Sequence, residues 1–495
     1  MTIALPPPLP PQETDIADIA DRGAAAATVG AYRLHLPQTP RLPARTLRAA
    51  VDGAMSVDEL LHGLARAYYE QGLLSAQLRY ALDGDDVYVL VEQRRVAEVR
   101  APRVLMPYFE PLVGAPLNER TFEKRRALAN VQAERAGIEA QTQLEETPNG
   151  LVLDIEQEGG RRDTSSARAE IWNPGNRFVG RNFLDLDLRH SNVVGDQFKL
   201  LWHTALTWLG DANADHFNEE TLTWSRATAF GAIGLTGHAF DYRGEDDLDG
   251  QLRELQAAWL YPVAATLRSR WLLDVRVEYT HEQRDLRPED AIVTQREEYP
   301  SLQIGTHYSR SGAWAGRPLD ADLSLTARQG LRGGESGSGA DLGYLLGRAS
   351  ASFNLKLSDA FDAGLALAGQ YSGDSLPEQS QWVLGGIDNV AAYLPGIAVG
   401  DSGAYASLDL QYAGWRVADL QLKPRVFAEY GYSRLANDAG LPAIQLADVG
   451  AELRANWRFA EASLAAAMPV QHSGVADDLR RRSEANLLFR VAARF

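Results

Sequence analysis

From about residue 164 to the end of the chain, apolar and polar positions alternate singly, in one short stretch after another. In "FLDLDLRH" (183–190), Leu184, Leu186 and Leu188 fall on one side and Asp185, Asp187 and Arg189 on the other. That is the period-two pattern of a strand with one apolar face. "FKLLWHTALTW" (198–208) places Phe198, Leu200, Trp202 and Trp208 together, and "ADLSLTAR" and "ASLDLQYA" repeat the idea. Segments starting near 164, 180, 197, 219, 231, 252, 266, 294, 319, 343, 361, 403, 424, 446, 460 and 485 give about sixteen strands of about 9–11 residues. Connections alternate loosely between short and long, and "GDANADHFNE", "GEDDLDGQ" and "GLRGGESGSGAD" are long and polar. An even number of antiparallel strands with such connections predicts an all-β transmembrane barrel over 161–495, with Trp and Tyr near strand ends as aromatic girdles. A soluble sandwich would rarely need so long a stretch without a second core. In "LLFRVAARF", parity sends Leu487, Phe489, Val491 and Phe495 to lipid and Arg490 and Arg494 to the lumen. This last strand must close the barrel, because lipid cannot satisfy an open backbone edge.

The front of the chain follows the helical period. "MSVDELLHGLARAYYEQG" predicts a helix with a Ser56/Glu59 capping box, an apolar face of Val57, Leu60, Leu61, Leu64 and Tyr68, and a stop at Gly72. "AYRLHL" precedes it as a strand, and "AQLRYALDGDDVYVLVEQ" follows as a hairpin turning at Asp83-Gly84. The order then recurs: the strand "VAEVRA", a helix capped by Asn118 and stopped by Gly137, and a hairpin turning at Pro148-Asn149-Gly150. Two β-α-α-β-β units, 28–95 and 96–160, form an α+β tandem repeat with a boundary near 95–100. Residues 1–27, Pro-rich and then polar, read as a tail, with a short helix at 13–22 as the alternative.

The chain has 495 residues, is 45% hydrophobic and carries a formal charge of -17, a poor balance for nucleic-acid binding. It contains no cysteine, which excludes disulfides, thiol nucleophiles and thiolate metal sites. No apolar run reaches the length of a membrane-spanning helix. The N-terminus lacks a basic start and an apolar stretch, so the expectation is either a cytoplasmic chain or one whose leader has been removed.

"LGGIDNVAAYLPGIAVGDSGAY" (384–405) raises a question of chemistry, because Gly-Asp-Ser-Gly surrounds the nucleophile of trypsin-like proteases. Such a serine needs His and Asp partners and an oxyanion hole. None of the nine histidines has the context of that family, and Ala404 stands where a glycine is expected. The glycines suit a tight turn ahead of a strand. No P-loop, H-E-x-x-H or EF-hand pattern is present, and the acids of 244–250 suit a solvated loop better than a cation site. The expectation is no catalytic residue, no metal and no cofactor.

Tandem α+β domains ahead of a sixteen-strand barrel resemble the TpsB transporters of two-partner secretion, the haemolysin and filamentous-haemagglutinin secretion type within the outer-membrane insertase superfamily. The resemblance spans the chain from about residue 28, and it implies that the small domains are POTRA domains. It also implies an inward-folded gating loop at 380–402, between the eleventh and twelfth barrel strands. Leu384, Gly385 and Gly386 match the family's pattern where the loop begins, and Gly400, Asp401, Ser402 and Gly403 match it where the loop ends. At the tip, Val390 and Tyr393 match V-R-G-[FY], but Ala391 and Ala392 replace the arginine and glycine. A second family pattern, F-x-D-x-G, lies on a lumenal strand as Phe427, Glu429 and Gly431, with the acid kept as glutamate. A partial N-P-x-G-x-x-D turn is present as Asn192 with Gly195 and Asp196. Terminal Phe495 resembles the signal read by the barrel-assembly machinery.

The implied function is export of an unfolded, TpsA-like exoprotein across a Gram-negative outer membrane. The domains would lie in the periplasm, and the partners would be that exoprotein, the barrel-assembly machinery and the lipid bilayer. A barrel assembly or insertion factor of the same superfamily is the alternative, and a passive porin is disfavoured by the two front domains. The tail, if it forms the short helix, is a candidate plug for the pore, and the sequence leaves open whether it enters. With no arginine at 391, Glu429 is expected to face a wet lumen without needing a partner.

Overall fold

The computed structural model describes residues 3–19, 25–36, 42–160, 162–175, 180–206, 216–243, 249–286, 293–387, 389–436, 441–485 and 487–495. The acidic stretch 244–248 and Trp208 lie outside the described residues.

The first domain holds β1 (Gln12–Glu13), β2 (Ala25–Val29), β3 (Tyr32–His35), α1 (Ala44–Val51), α2 (Val57–Glu70), β4 (Ala76–Asp83) and β5 (Asp86–Gln93). Its sheet has the order β1-β4-β5-β3-β2. Ser56 Oγ accepts the Glu59 N–H at 3.2 Å, and the Glu59 carboxylate reaches back to the Met55 N–H at 2.7 Å. The apolar face of α2 then buries Leu60, Leu61, Leu64 and Tyr68 against Leu34, Leu78, Val87 and Val89. Gly72, at φ +87°, ends the helix.

The second domain holds β6 (Val96–Arg100), α3 (Met106–Phe109), α4 (Glu119–Arg135), β7 (Glu139–Thr147) and β8 (Gly150–Glu158), with a separate sheet of order β6-β8-β7. Asn118 Oδ1 caps α4 by accepting the Thr121 N–H at 2.9 Å.

The N-terminal segment differs from the expectation of a tail or plug helix. It crosses both domains as an extended strap. Ile3 is fully buried in the core of the second domain, and its carbonyl accepts from Arg126 at 2.8 Å. Ala4 N–H donates to Ala140 O on β7 at 3.0 Å. Pro6 O and Pro10 O accept from Tyr69 and Gln77, and β1 pairs in parallel with Arg79–Tyr80 of β4. The prolines hold residues 6–11 extended, and farther on Ile16–Asp18 makes one 3₁₀ turn. The edge strand of the first sheet, Ala25–Val29, takes in residues 25–27, expected in the tail.

Sixteen strands close into one antiparallel barrel. They are β9 (Ser166–Trp172), β10 (Phe183–Ser191), β11 (Asp196–Ala205), β12 (His216–Thr228), β13 (Gly231–Arg243), β14 (Asp249–Ala265), β15 (Ser269–Leu286), β16 (Val293–Trp314), β17 (Arg317–Gly330), β18 (Leu345–Lys356), β19 (Phe361–Tyr371), β22 (Ser402–Tyr412), β23 (Leu420–Arg434), β24 (Ile444–Trp457), β25 (Ala460–Ser473) and β26 (Leu487–Arg494). The missing pair, β20 (Trp382–Leu384) and β21 (Ala398–Gly400), is a hairpin in the long connection between β19 and β22. Several strands exceed the expected length, and β16 runs for 22 residues.

Leu222, Leu255, Leu325, Leu408, Val426 and Met468 are exposed on the outer face, as a barrel in lipid requires. Exposed Phe230, Trp271, Trp314, Phe361, Trp415, Trp457 and Phe495 cluster beside the short turns, where one girdle is expected. The last strand keeps its expected parity. Leu487, Val491 and Phe495 are exposed, whereas Arg490 pairs with Glu170 at 2.7 Å and Arg494 with Glu461 at 3.1 Å. Arg490–Arg494 zip to Trp172–Arg168 of β9 and complete the closure.

In the first domain, Asp86 ties β5 to β3. It accepts from Arg33 Nε at 2.7 Å and Nη2 at 2.6 Å and pairs with His35 at 2.7 Å. These bonds, Arg33 first, hold its carboxyl at about 2, below the ordinary 3.8. A depressed carboxyl stabilises the fold above its ordinary value and loses that contribution as pH falls towards 2. Pepsin should therefore begin to cut within 25–36 of the full chain as pH falls from 4 to 2. Asp86→Asn should be cut there already at pH 4, and equal digestion profiles would rule out this clamp.

Candidate functional site

The connection from 372 to 401 leaves β19 on the side of the long loops and turns into the barrel. Its stem pairs Trp382 with Gly400 and Leu384 with Ala398. Glycines make the path possible. Gly385 and Gly386 have φ +97° and +107°. A Cβ on Gly385 would lie 2.1 Å from Leu394 O, and one on Gly400 would lie 2.6 Å from Arg434 O. A Cβ on Gly403 would overlap the Trp382 ring at 2.0 Å.

The tip packs on the inner wall as a small hydrophobic core. Leu384, Val390, Ala391, Ala392, Tyr393, Leu394 and Ile397 are buried with Phe427, Leu446, Ala465, Ala467 and Leu488 from β23 to β26. The wall makes room by using small residues: a Cβ on Gly431 would meet Val390 Cγ2 at 2.7 Å and Leu384 Cδ2 at 2.9 Å. Thus Gly431 of the strand motif is a seat for the tip.

Polar contacts fix the depth. Ala391 N–H donates to Glu429 Oε2 at 2.8 Å, and Tyr405 OH donates to Glu429 Oε1 at 2.6 Å. Glu429 is 6% exposed. The expectation of an acid in a wet lumen needing no partner is therefore corrected: the loop covers it, and a main-chain N–H and a phenol replace water. A hydrogen bond to a charged group contributes about 1.5–3 kcal/mol. Ala392 N–H donates to Asp448 Oδ2 at 2.6 Å, a residue no sequence motif marks. Beside Ala391 lies a cavity of about 190 Å³ lined by Arg425, Glu452, Arg454 and Arg490. Arg425 there pairs with Asp409 at 3.3 Å and Glu452 at 3.2 Å and lies over the Phe427 ring.

At the loop's end, Asp401 Oδ1 accepts from Leu376 N–H and Oδ2 from Ala436 N–H, both at 2.8 Å. It knots the end of the connection to its own beginning and to the connection that follows β23. Ser402 Oγ donates to Ser372 O at 3.1 Å and accepts the Ser372 N–H at 3.2 Å. The hydroxyl is thereby committed to holding one backbone segment, a poor starting point for a nucleophile.

A second element was missed by sequence reasoning. The connection 474–486, containing α5 (Asp477–Ser483), pairs with the tip: Leu394 N–H donates to Ser483 O at 2.6 Å and Ala485 N–H to Ala392 O at 2.8 Å. Its residues are polar and lack a strand period, so only the fold exposes the pairing.

On the side of the short turns, α4 docks the second domain. Gln132 Nε2 donates to Val193 O at 3.0 Å, and Arg135 donates to Gly195 O at 2.8 Å and Ser225 Oγ at 2.9 Å. The Asn192 turn builds this socket. Asn192 Oδ1 accepts the N–H groups of Val194 and Asp196, and Asp196 pairs with Arg226 at 2.7 Å.

Residues 239–455, from β13 to β24, match the haemolysin secretion/activation protein family ShlB/FhaC/HecB. No curated protein matches the chain. Among solved structures, CdiB from Escherichia coli aligns with TM-score 0.72 and 15% identity, covering 97% of this chain and 93% of its own. CdiB from Acinetobacter baumannii aligns with TM-score 0.65 and 12% identity over 97% and 92%. BamA from Haemophilus ducreyi lacking POTRA domains 1–3 aligns with TM-score 0.55 and 13% identity over 95% and 100%. At these identities the structures speak for the fold, and the family match speaks for the barrel and its loop.

Gly400→Ala and Gly431→Val should each displace the loop and raise the basal current of the reconstituted protein in planar bilayers. Gly373→Ala, with nothing within 4 Å of the added Cβ, should leave the current unchanged.

Proposed function

We propose that this chain, an outer-membrane barrel of the haemolysin secretion/activation type, exports an unfolded, TpsA-like exoprotein through its lumen. The observation that carries the reading is the apolar-packed loop seated inside an otherwise closed sixteen-strand barrel, a width that suits an aqueous channel once the loop withdraws. The barrel follows its lipid contacts into an outer membrane. The two small domains act as POTRA domains in the periplasm, beside the short turns, and the long connections face outward. Terminal Phe495 serves the barrel-assembly machinery during insertion.

Recognition falls to the first domain. Among the described residues its edge strand β2 pairs only with β3, and a groove of about 720 Å³ runs between β2 and α1, lined by Ala27, Val29, Leu47, Val51 and Met55. Met55 is 90% exposed. An extended passenger can add a strand to β2 while its apolar side chains enter the groove. Such contacts are local and reversible, so the passenger moves on. No nucleotide is needed: folding outside, worth about 5–15 kcal/mol per domain, makes back-sliding unfavourable.

Export of a co-expressed exoprotein by the full chain tests the reading. Deleting 386–396 should give a permanently conducting pore. Ala44→Trp, which fills the groove from exposed α1, should reduce export several-fold with conductance unchanged. If Ala44→Trp instead depletes barrel proteins from the outer membrane and leaves export intact, the chain is an assembly factor of the same superfamily.

A further inference from the structure

Glu429 and Asp448 stand directly opposite each other in the ladder of β23 and β24, and both side chains are buried. Like charges so placed repel. Between them come two consecutive main-chain N–H groups, Ala391 to Glu429 and Ala392 to Asp448. Val390, at φ +59°, turns the chain so that both N–H groups face the same wall. The ladder itself is adjusted here. Ala447 opposes Gln471 but Asp448 opposes Pro469, so Val470 bulges out of β25 beside the acid. A bulge re-aims a neighbouring side chain, and Pro469 brings no N–H to compete for it.

We propose that Asp448 is a positioning residue that, with Glu429, holds the loop tip by its backbone, a two-carboxylate lock in place of a side-chain ion pair. Two adjacent N–H groups between two carboxylates form an anion-binding backbone nest turned to a structural use. The lock reads main chain, so position 391 needs only a side chain small enough for its buried place; Ala391 is 2% exposed. The retained acid and the missing arginine then have one explanation. This inference rests on the loop acting as the plug.

The test uses the full chain in planar bilayers, with Leu394→Cys as a reporter that is unique because the chain has no cysteine. Asp448→Val removes the acceptor and leaves an apolar side chain in its place. Losing one charge-assisted bond should raise open probability and maleimide labelling of the reporter by about tenfold or more. Asp448→Asn, which restores an acceptor oxygen, should recover most of the closed state; a merely structural role would not sort the two variants this way. If Asp448→Val does not yield a heat-modifiable barrel, Ala392→Pro removes the same bond from the loop side and should open the pore likewise. Deletion of 386–396 separates the readings. A deletion that opens the pore while Asp448→Val or Ala392→Pro stays closed overturns the lock alone. A deletion that leaves the pore closed overturns the plug itself.

Discussion

Backbone polar groups have no partners in hydrocarbon, and the structure follows from that shortage. Every barrel strand must be paired on both sides, so the sheet closes, and the closure at β26 and β9 depends on residues at both ends of the barrel sequence. A closed ring of this size encloses a wide space. Its wall cannot fill that space with its own side chains, so the protein sends a loop inward and cuts back the wall at Gly431, Ala465 and Ala467 to receive it. The same shortage of partners governs the loop, whose buried N–H groups go to carboxylates, to a facing connection, or to one another.

The barrel was legible because lipid outside and water inside write a two-residue period that tolerates little noise. All sixteen expected starts lie close to the observed strands, and the inward parity of Arg490 and Arg494 follows from alternation alone. Helix caps were equally local: Ser56, Asn118 and Gly72 act within a turn of where they stand. What escaped was non-local. The strap at 3–19 has no helical or strand period, and its partners lie more than sixty residues away. The pairing of the tip with Ser483 and Ala485, and the part played by Asp448, arise only when distant strands become neighbours. Strand length escaped too, since the ends of β15 and β16 continue the alternation beyond what a bilayer requires.

The tip also shows why matching a motif letter by letter misjudges a site. Replacing an arginine by Ala391 reads as the loss of an anchor. In space, a main-chain N–H stands against the acid instead, and Arg425, two turns of the pleat along the same strand, is already engaged with Asp409 and Glu452. The departure lies in which atoms make the contact, and the contact itself persists.

The strap has a mechanical consequence. It is bonded to β7 near one end and to β4 near the other, so it spans the joint between the two small domains like a splint. Swinging one domain against the other would shear both attachments together, whereas the second domain meets the barrel through one helix seated on turns. The stiff element is therefore the pair, and compliance is displaced to the α4 socket. A force applied at the first domain would arrive there as torque on a single lever, delivered to the rim of the barrel.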